Sequence, residues 1–221
     1  VGWYMVQSGL VDRVDVSQYR LALHLSIAFL ILGLLVWCFL KLAQRAAPVT
    51  LATLSGRTLI VAGGLLALVF AQVALGAFVA GTKAGLTYNT WPLMDGAIVP
   101  AGLLDMTPFW INAVENVATI QFNHRMTAYL LVMAVTVHAV FVWRRADARD
   151  AATSAIALAA AVWFQAITGI WTLLAVDGAI PIGLGLVHQG GAAIVLTIAV
   201  WHWHTVWRDV MGRPATLSRA A

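Results

Sequence analysis

The sequence predicts an all-α fold, a polytopic bundle of transmembrane helices. Of the 221 residues, 62% are hydrophobic and 10% are charged, whereas a water-soluble domain carries about 25% charged residues. Five uncharged runs are long enough to cross ~30 Å of hydrocarbon. Each must be helical, because lipid offers the backbone no hydrogen-bond partners. The predicted spans are Leu21–Leu40, Thr58–Ala80, Met126–Trp143, Ala151–Val176 and a stretch within Gly178–Trp207.

The ends of these spans are marked by charges and prolines. In chain order the runs are bounded by Arg20 and Lys41, Arg57 and Lys83, Arg125 and Arg144, Asp150 and Asp177, and Asp177 and Arg208. All six prolines lie outside the runs or at a helix start, where a missing N–H costs little.

Lysine and arginine predict the orientation. The loops 41–57, 144–150 and 208–221 contain nine of the 13 basic residues, so the positive-inside rule assigns these loops to the cytoplasm or matrix. The loops are short, which favours a bacterial plasma membrane. A nucleic-acid partner is not expected, because the basic residues are scattered over short loops between lipid spans. The single cysteine, Cys38, lies in an apolar run and is expected to be a small core residue.

Two stretches of the chain are similar to each other. Gly2-Trp3 precedes a helix with His24, and Gly169-Ile170-Trp171 precedes a helix with His188. The second stretch ends a complete helix, so the first is expected to be the tail of a helix that starts before Val1. We therefore expect residues 1–45 to be the remainder of an N-terminal half, 46–57 a linker, and 58–221 a four-helix half with a long outer loop at 81–123.

Three histidines, His24, His124 and His188, are expected within about two turns of the outer ends of their helices. Metal-binding side chains inside spans are costly, so a functional role is the default interpretation. Two neutral imidazoles on facing helices can take both axial positions of a haem iron. A single such histidine could instead be an interfacial hydrogen-bonding residue. Three at one depth predict a haem site towards the outer side.

Basic and small residues flank these histidines. Arg20 lies four residues before His24 and Arg125 follows His124, where guanidinium groups could pair with haem propionates. Snorkelling to lipid phosphate is the alternative. The small residues near His188 could let a macrocycle approach the backbone, although they also serve ordinary helix packing: Gly183, Gly185, Gly190, Gly191, Ala192 and Ala193.

A second histidine pattern competes with the first. His138 follows His124 by fourteen residues, and His202 follows His188 by the same interval. Fourteen residues rise ~21 Å and return to nearly the same helix face. This spacing is compatible with a di-haem b-type transmembrane electron-transfer cytochrome. It leaves His24 without a role, and His202 lies in an aromatic cluster where a structural histidine is the simpler interpretation.

Several motifs resemble the haem A synthase family over most of the chain. They are Tyr88-Asn89-Thr90-Trp91-Pro92 in the outer loop, Gln121-Phe122-Asn123-His124-Arg125, Ser17-Gln18-Tyr19-Arg20-Leu21-Ala22-Leu23-His24 and Val187-His188-Gln189. The resemblance implies eight spans in two similar four-helix halves. It also implies an oxidoreductase that converts the methyl group of haem O into the formyl group of haem A for terminal oxidases.

The resemblance also implies roles for the predicted site residues. His124 and His188, with Arg125 beside them, would hold a haem b cofactor. His24 would be one axial ligand of the substrate haem, with Arg20 nearby. The partner histidine and the catalytic acid are expected upstream of Val1, so no catalytic residue is assigned and this chain alone is not expected to be active. The implied partners are haem O synthase and an electron acceptor.

Other polar residues are interpreted more simply. Gln121 stands where the repeat would put an acid, three residues before His124, which fits a cofactor site better than a reaction site. The outer loops lack the cysteine pairs of some family members. Asp95, Asp105 and Glu115 are expected to be solvated loop charges. Gln72 and Gln165 lie mid-span and are expected to bond across helices without a catalytic role.

Overall fold

The computed structural model describes residues 2–3, 16–43, 54–145 and 148–211. Within these ranges, five long helices account for most of the chain and no extended strand forms. They are α1 (Gln18–Ala43), α2 (Gly56–Gly81), α3 (Val117–Trp143), α4 (Arg149–Leu174) and α5 (Ile182–Met211). Each is long and apolar enough to cross a membrane. The prediction of an all-α, multi-pass membrane protein is therefore confirmed.

Polar side chains cap the N-termini of α2 and α3, and both helices begin before their uncharged runs. Ser55 caps α2 by accepting a hydrogen bond from the backbone N–H of Thr58, and Asn116 caps α3 by accepting one from Thr119. Consequently α3 begins at Val117, well before Met126, and the outer loop is shorter than the predicted 81–123. The segment Gln121–Arg125 belongs to the first turns of a helix.

Some predictions fall on parts of the chain outside the described residues. Val1 lies outside them, and the expectation of a catalytic acid and a partner histidine upstream of Val1 stays a prediction. Most of the predicted 46–57 linker also lies outside them, as do residues 4–10 of the first repeated stretch. Gly2 and Trp3, at the start of that stretch, are helical.

Helices α2 to α5 form a ring in which each helix packs against its two neighbours. Helix α1 packs outside the ring against α2 and α5. Cys38 is exposed on α1, so the expectation that it is a core residue was wrong. A hydrophobic core runs through the middle of the ring and includes Val73, Leu131, Val162 and Val195.

Only the inner portion of α5 is buried. From Ile182 to Ile194 every residue is exposed or partly exposed. Buried residues begin at Val195 and continue to Val206. On α5 the buried residues therefore begin about two turns inward of His188.

The outer loop between α2 and α3 is held in shape by two asparagines. The side chain of Asn112 is fully buried, donates to the carbonyls of Met106 and Phe109 and accepts from the backbone N–H of Met106. Asn116 donates to Gly102 O, to Asn112 Oδ1 and to the carboxylate of Asp105. These bonds order the loop across the outer end of the bundle.

Candidate haem-binding site

The two histidines predicted to act as a pair lie on helices that face each other across the ring. His124 lies about two turns into α3 and His188 about two turns into α5. Because α3 and α5 each pack against both α2 and α4, they occupy diagonal positions of the ring. The two histidines therefore lie near the same end of the bundle, on opposite sides of its axis.

The imidazole of His124 is held from α2 by Gln72. Gln72 Nε2 lies 3.1 Å from His124 Nδ1 and donates to the backbone oxygen of His124 at 3.0 Å. One turn further along α2, Gly76 leaves room for the ring, since a Cβ added there would lie 3.1 Å from His124 Cε1. The other amide atom, Gln72 Oε1, is buried without a hydrogen-bond partner among the described residues.

The imidazole of His188 is held from α4 in the same way. Gln165 Nε2 lies 3.1 Å from His188 Nδ1 and donates to the backbone oxygen of His188 at 2.6 Å. A Cβ added to Gly169 would approach His188 Cε1 to 2.7 Å. Gln165 Oε1 is again buried and unpartnered within the described ranges. This site is tighter, because Gln165 Oε1 occupies the space that a side chain at position 191 would fill, and only a glycine there leaves that space open.

Together these contacts repeat the same arrangement twice within the ring of helices α2 to α5. In both α2 and α4 a glutamine precedes a glycine by four residues, and the following helix supplies the histidine that both residues contact. Gln72 and Gln165 were predicted to bond across helices, and both do so. The repeated Gln-x-x-x-Gly pattern was the signal that could have singled them out.

The inner histidines form a different arrangement. His138 Nε2 and His202 Nε2 lie 2.8 Å apart, and His202 Nδ1 lies 2.9 Å from Ser154 Oγ. An imidazole nitrogen binds a metal at about 2 Å, so two axial ligands on opposite sides of one ion are ~4 Å apart. The pair is hydrogen-bonded and buried, which argues against a second haem at this level.

His24 repeats one feature of the other two outer histidines. It lies two turns into α1, and a Cβ added to Gly2 would lie 3.3 Å from its Cε1. In all three outer histidines, Cε1 is thus the ring atom nearest to a glycine. Arg20 lies on α1 four residues before His24.

Arg125 is buried under the outer loop. Its guanidinium donates to the backbone oxygens of Tyr88 and Leu93, while Nε is buried without a partner in the described part of the chain. No carboxylate of the described residues bonds to this guanidinium. Buried charges in proteins are paired with an opposite charge or a metal-bound group, so the residues around Arg125 leave an anion unaccounted for.

Polar residues of the outer region support the loop. Gln121 is buried and donates to Tyr88 O, so it supports the loop. Glu115 accepts hydrogen bonds from Gln18 Nε2 at 2.9 Å and from the hydroxyl of Tyr19. It ties the loop to the outer end of α1, and the expectation that it is a solvated charge was wrong. Asp105 is exposed, as expected, and also accepts a hydrogen bond from Asn116.

Comparison with known proteins identifies the family. A family model described as cytochrome oxidase assembly protein matches residues 1–200. The chain belongs to this family. The resemblance inferred from the motifs is thereby confirmed at the level of the family.

Curated relatives in this family are named heme A synthase. The protein of Parvibaculum lavamentivorans is 52% identical over 204 residues, covering 92% of this chain and 56% of its own length. A Bradyrhizobium species has a relative 48% identical over 202 residues, covering 90% and 54%. The Rhodopseudomonas palustris protein is 44% identical over 223 residues, covering 100% and 59%. The chain spans about half the length of the curated relatives it matches.

Proposed function

We propose that this chain is the haem b-holding part of a haem A synthase, with His124 and His188 as the two axial ligands. The observation that carries the proposal is the repeated arrangement around these histidines on diagonal helices. Each imidazole is restrained by a glutamine and lies against a glycine of the neighbouring helix. When bound, a haem b would supply a one-electron redox centre.

The surroundings of His188 support a large planar ligand. No residue of α5 from Ile182 to Ile194 is buried. A Cβ added to Gly183, Gly185 or Gly190 would meet no atom within 4 Å. A macrocycle could therefore approach this backbone closely without displacing a side chain.

Arg125 supports the same position for the ligand. Its guanidinium is buried directly after His124, and the described residues supply it with carbonyl partners but no carboxylate. A propionate is an anion of the required kind, and an arginine fork suits it. Arg125 would then hold the loop and orient the ligand at once.

His24 fits the role of a substrate-haem ligand on α1, outside the ring of α2 to α5. The parent protein would oxidise the methyl group of haem O to the formyl group of haem A. This conversion removes four electrons and four protons overall when water supplies the oxygen atom. It therefore requires an electron acceptor, which we propose is a separate membrane partner, while haem O synthase would supply the substrate.

The catalytic acid and the second ligand of His24's haem would come from the part of the full-length protein upstream of Val1. By itself the chain would bind haem b without completing the reaction. The excess of basic residues in loops 41–57, 144–150 and 208–221 supports an orientation with the haem sites towards the outer side. The shortness of the loops favours a bacterial plasma membrane.

Histidine substitutions in the full-length protein test the proposal. The protein would be produced in cells that make haem O but no haem A, and pigments would be extracted and spectra recorded. We expect His124→Ala and His188→Ala to abolish the b-type spectrum. We expect His24→Ala to retain that spectrum but stop haem A formation. His138→Ala is the matched control on α3 and should change neither.

Two results would overturn the proposal. One is a b-type spectrum that survives both the His124 and the His188 substitution. The other is an intact protein that binds haem reversibly but yields no haem A, which would favour an electron carrier.

A further inference from the structure

A cavity of about 360 Å³ lies at the inner end of the bundle, at the opposite end from His124 and His188. Its volume falls within the range of small-ligand pockets, about 300–1,000 Å³. Because α1 and α4 both pack against α5, the cavity lies over α5, with α1 on one side and α4 on the other. Its lining includes Leu40 and Ala43 of α1, Asp150 of α4, and Trp201, His204 and Arg208 of α5.

His204 brings an unsatisfied polar atom to this cavity. The residue is 1% exposed, and its Nε2 is buried without a hydrogen-bond partner among the described residues. Its ring lies edge-on to Trp37, with centroids 4.9 Å apart, and stacks on Trp207 at 5.9 Å. Buried polar atoms are normally hydrogen-bonded, so an unpaired one requires an explanation. A neutral imidazole with its proton on Nε2 can donate to an oxygen of a bound ligand.

Two cations lie close to His204. Lys41 Nζ lies 3.9 Å from the centroid of the Trp207 ring, and Arg208 donates to the carboxylate of Asp150 at 2.8 Å. A guanidinium has five N–H donors, so this single bond leaves others for a ligand. Asp150 is the only carboxylate among the described residues that line the cavity. Two cations and one carboxylate leave a net charge of +1, which favours an anionic ligand.

The position of the cavity indicates which kind of anion it suits. The distribution of basic residues assigns this end of the bundle to the inner leaflet, whose anionic lipid headgroups attract lysine and arginine. Outward from the cavity, the α5 face that carries Trp201 continues through Thr197 to Ile194, because residues three and four apart share a face. Ile194 is 61% exposed, so an acyl chain can lie along this face below the headgroup. A free anion would use only the polar end of the site.

We propose that this cavity binds the headgroup of an anionic phospholipid of the inner leaflet. The phosphate accepts a hydrogen bond from His204 Nε2–H and lies close to Lys41 and Arg208, while an acyl chain follows α5 outward. Because the lining comes from α1 and from two helices of the ring, the bound lipid joins α1 to the ring at its inner end. The inference goes beyond the proposed function and does not depend on the haem assignment.

Three variants of the full-length protein test the lipid site. Lys41→Gln removes a cation, and His204→Phe keeps an aromatic ring but removes the donor. Arg144→Gln is the matched control, because Arg144 is an exposed basic residue at the same end of the bundle that does not line the cavity. Each protein would be delipidated in neutral detergent and titrated with phosphatidylglycerol, phosphatidylcholine or inorganic phosphate. Native mass spectrometry would count bound lipid, and the unfolding temperature would be recorded.

We expect the wild type to retain phosphatidylglycerol and to unfold at a higher temperature with it than with phosphatidylcholine or inorganic phosphate. Lys41→Gln should bind this lipid about 5-fold more weakly and His204→Phe about 10-fold more weakly, whereas Arg144→Gln should match the wild type. If His204→Phe does not accumulate, the comparison of Lys41→Gln with Arg144→Gln decides alone.

Four results would overturn the lipid site. The first is equal retention of phosphatidylcholine and phosphatidylglycerol by the wild type. The second is an equal loss of phosphatidylglycerol in Lys41→Gln and Arg144→Gln, which would reduce the effect to the general charge of the inner surface. The third is stabilisation by inorganic phosphate as large as that by the lipid. The fourth is a quinone that co-purifies with the wild type and is lost from His204→Phe, which would assign the cavity to a redox ligand.

Discussion

His138 and His202 are joined by a hydrogen bond of 2.8 Å between their Nε2 atoms, and Ser154 lies against the far nitrogen of His202. Ser154 donates its own proton to Ala151 O, so it accepts from His202 Nδ1–H. His202 Nε2 must then accept from His138 Nε2–H. The chain of bonds links α3, α4 and α5 through a buried set of polar atoms at the inner part of the bundle.

Breaking this chain should affect stability and leave haem binding intact. His138→Leu removes the donor to His202 and leaves a buried nitrogen unpaired, which costs about 1–3 kcal/mol. We expect a lower unfolding temperature in detergent and an unchanged ratio of haem to protein. A lost haem equivalent in this variant would instead support the stacked di-haem arrangement.

The loss of haem retention caused by glycine-to-alanine substitutions should depend on the space beside each imidazole. An added Cβ would lie 2.7 Å from His188 Cε1 in Gly169→Ala and 3.1 Å from His124 Cε1 in Gly76→Ala. We expect Gly169→Ala to lower haem retention most and Gly76→Ala to lower it less. Gly64→Ala is the control on α2, because its Cβ would meet nothing within 4 Å. Retention measured by haem extraction should be normal in that variant, and equal losses in all three would contradict the ranking.

Arg125 should show two separable functions. Arg125→Lys keeps the positive charge but cannot bridge the carbonyls of Tyr88 and Leu93 as the guanidinium does. Arg125→Gln loses the charge as well. We expect faster hydrogen exchange around residues 86–95 in both variants, and weaker haem retention mainly in Arg125→Gln. Normal retention in Arg125→Gln would show that the buried charge does not meet a propionate.

Glu115 should secure the outer end of α1. Glu115→Ala removes the acceptor for both Gln18 and Tyr19, and we expect faster hydrogen exchange at residues 18–21. Glu115→Gln keeps one acceptor oxygen and should have a smaller effect. Asp95→Asn removes an exposed acidic charge from the same loop and serves as the control. Unchanged hydrogen exchange at residues 18–21 in Glu115→Ala would show that Glu115 does not secure the outer end of α1.

The sequence predicted the helices well because hydropathy over a whole span is a sum of many small, consistent terms. Their ends depend on single residues. Arg125 interrupts the uncharged run, so this criterion missed Gln121–Arg125, whereas α3 begins at Val117 behind the Asn116 cap. Cys38 was misjudged for a related reason. In lipid an apolar residue can face either the core or the membrane, so composition does not tell which.

The histidines could be selected from the sequence because they are rare within apolar spans and share one depth. Their supporting residues could not, since Gln72 and Gln165 acquire meaning only from contacts between neighbouring helices. The same is true of Glu115, whose partners lie almost a hundred residues away in the chain. The spacing of residues within one helix can be predicted from a sequence, whereas the register between neighbouring helices cannot.

The diagonal placement of His124 and His188 has a consequence for biogenesis. The α2–α3 hairpin supplies one of these imidazoles and the α4–α5 hairpin supplies the other. Neither hairpin alone offers two ligands, so under the proposed function the cofactor can enter only after both hairpins have been inserted and have closed into a ring. Because a ligand that binds only the assembled state stabilises it, haem availability would then act as a checkpoint on the assembly of the protein itself.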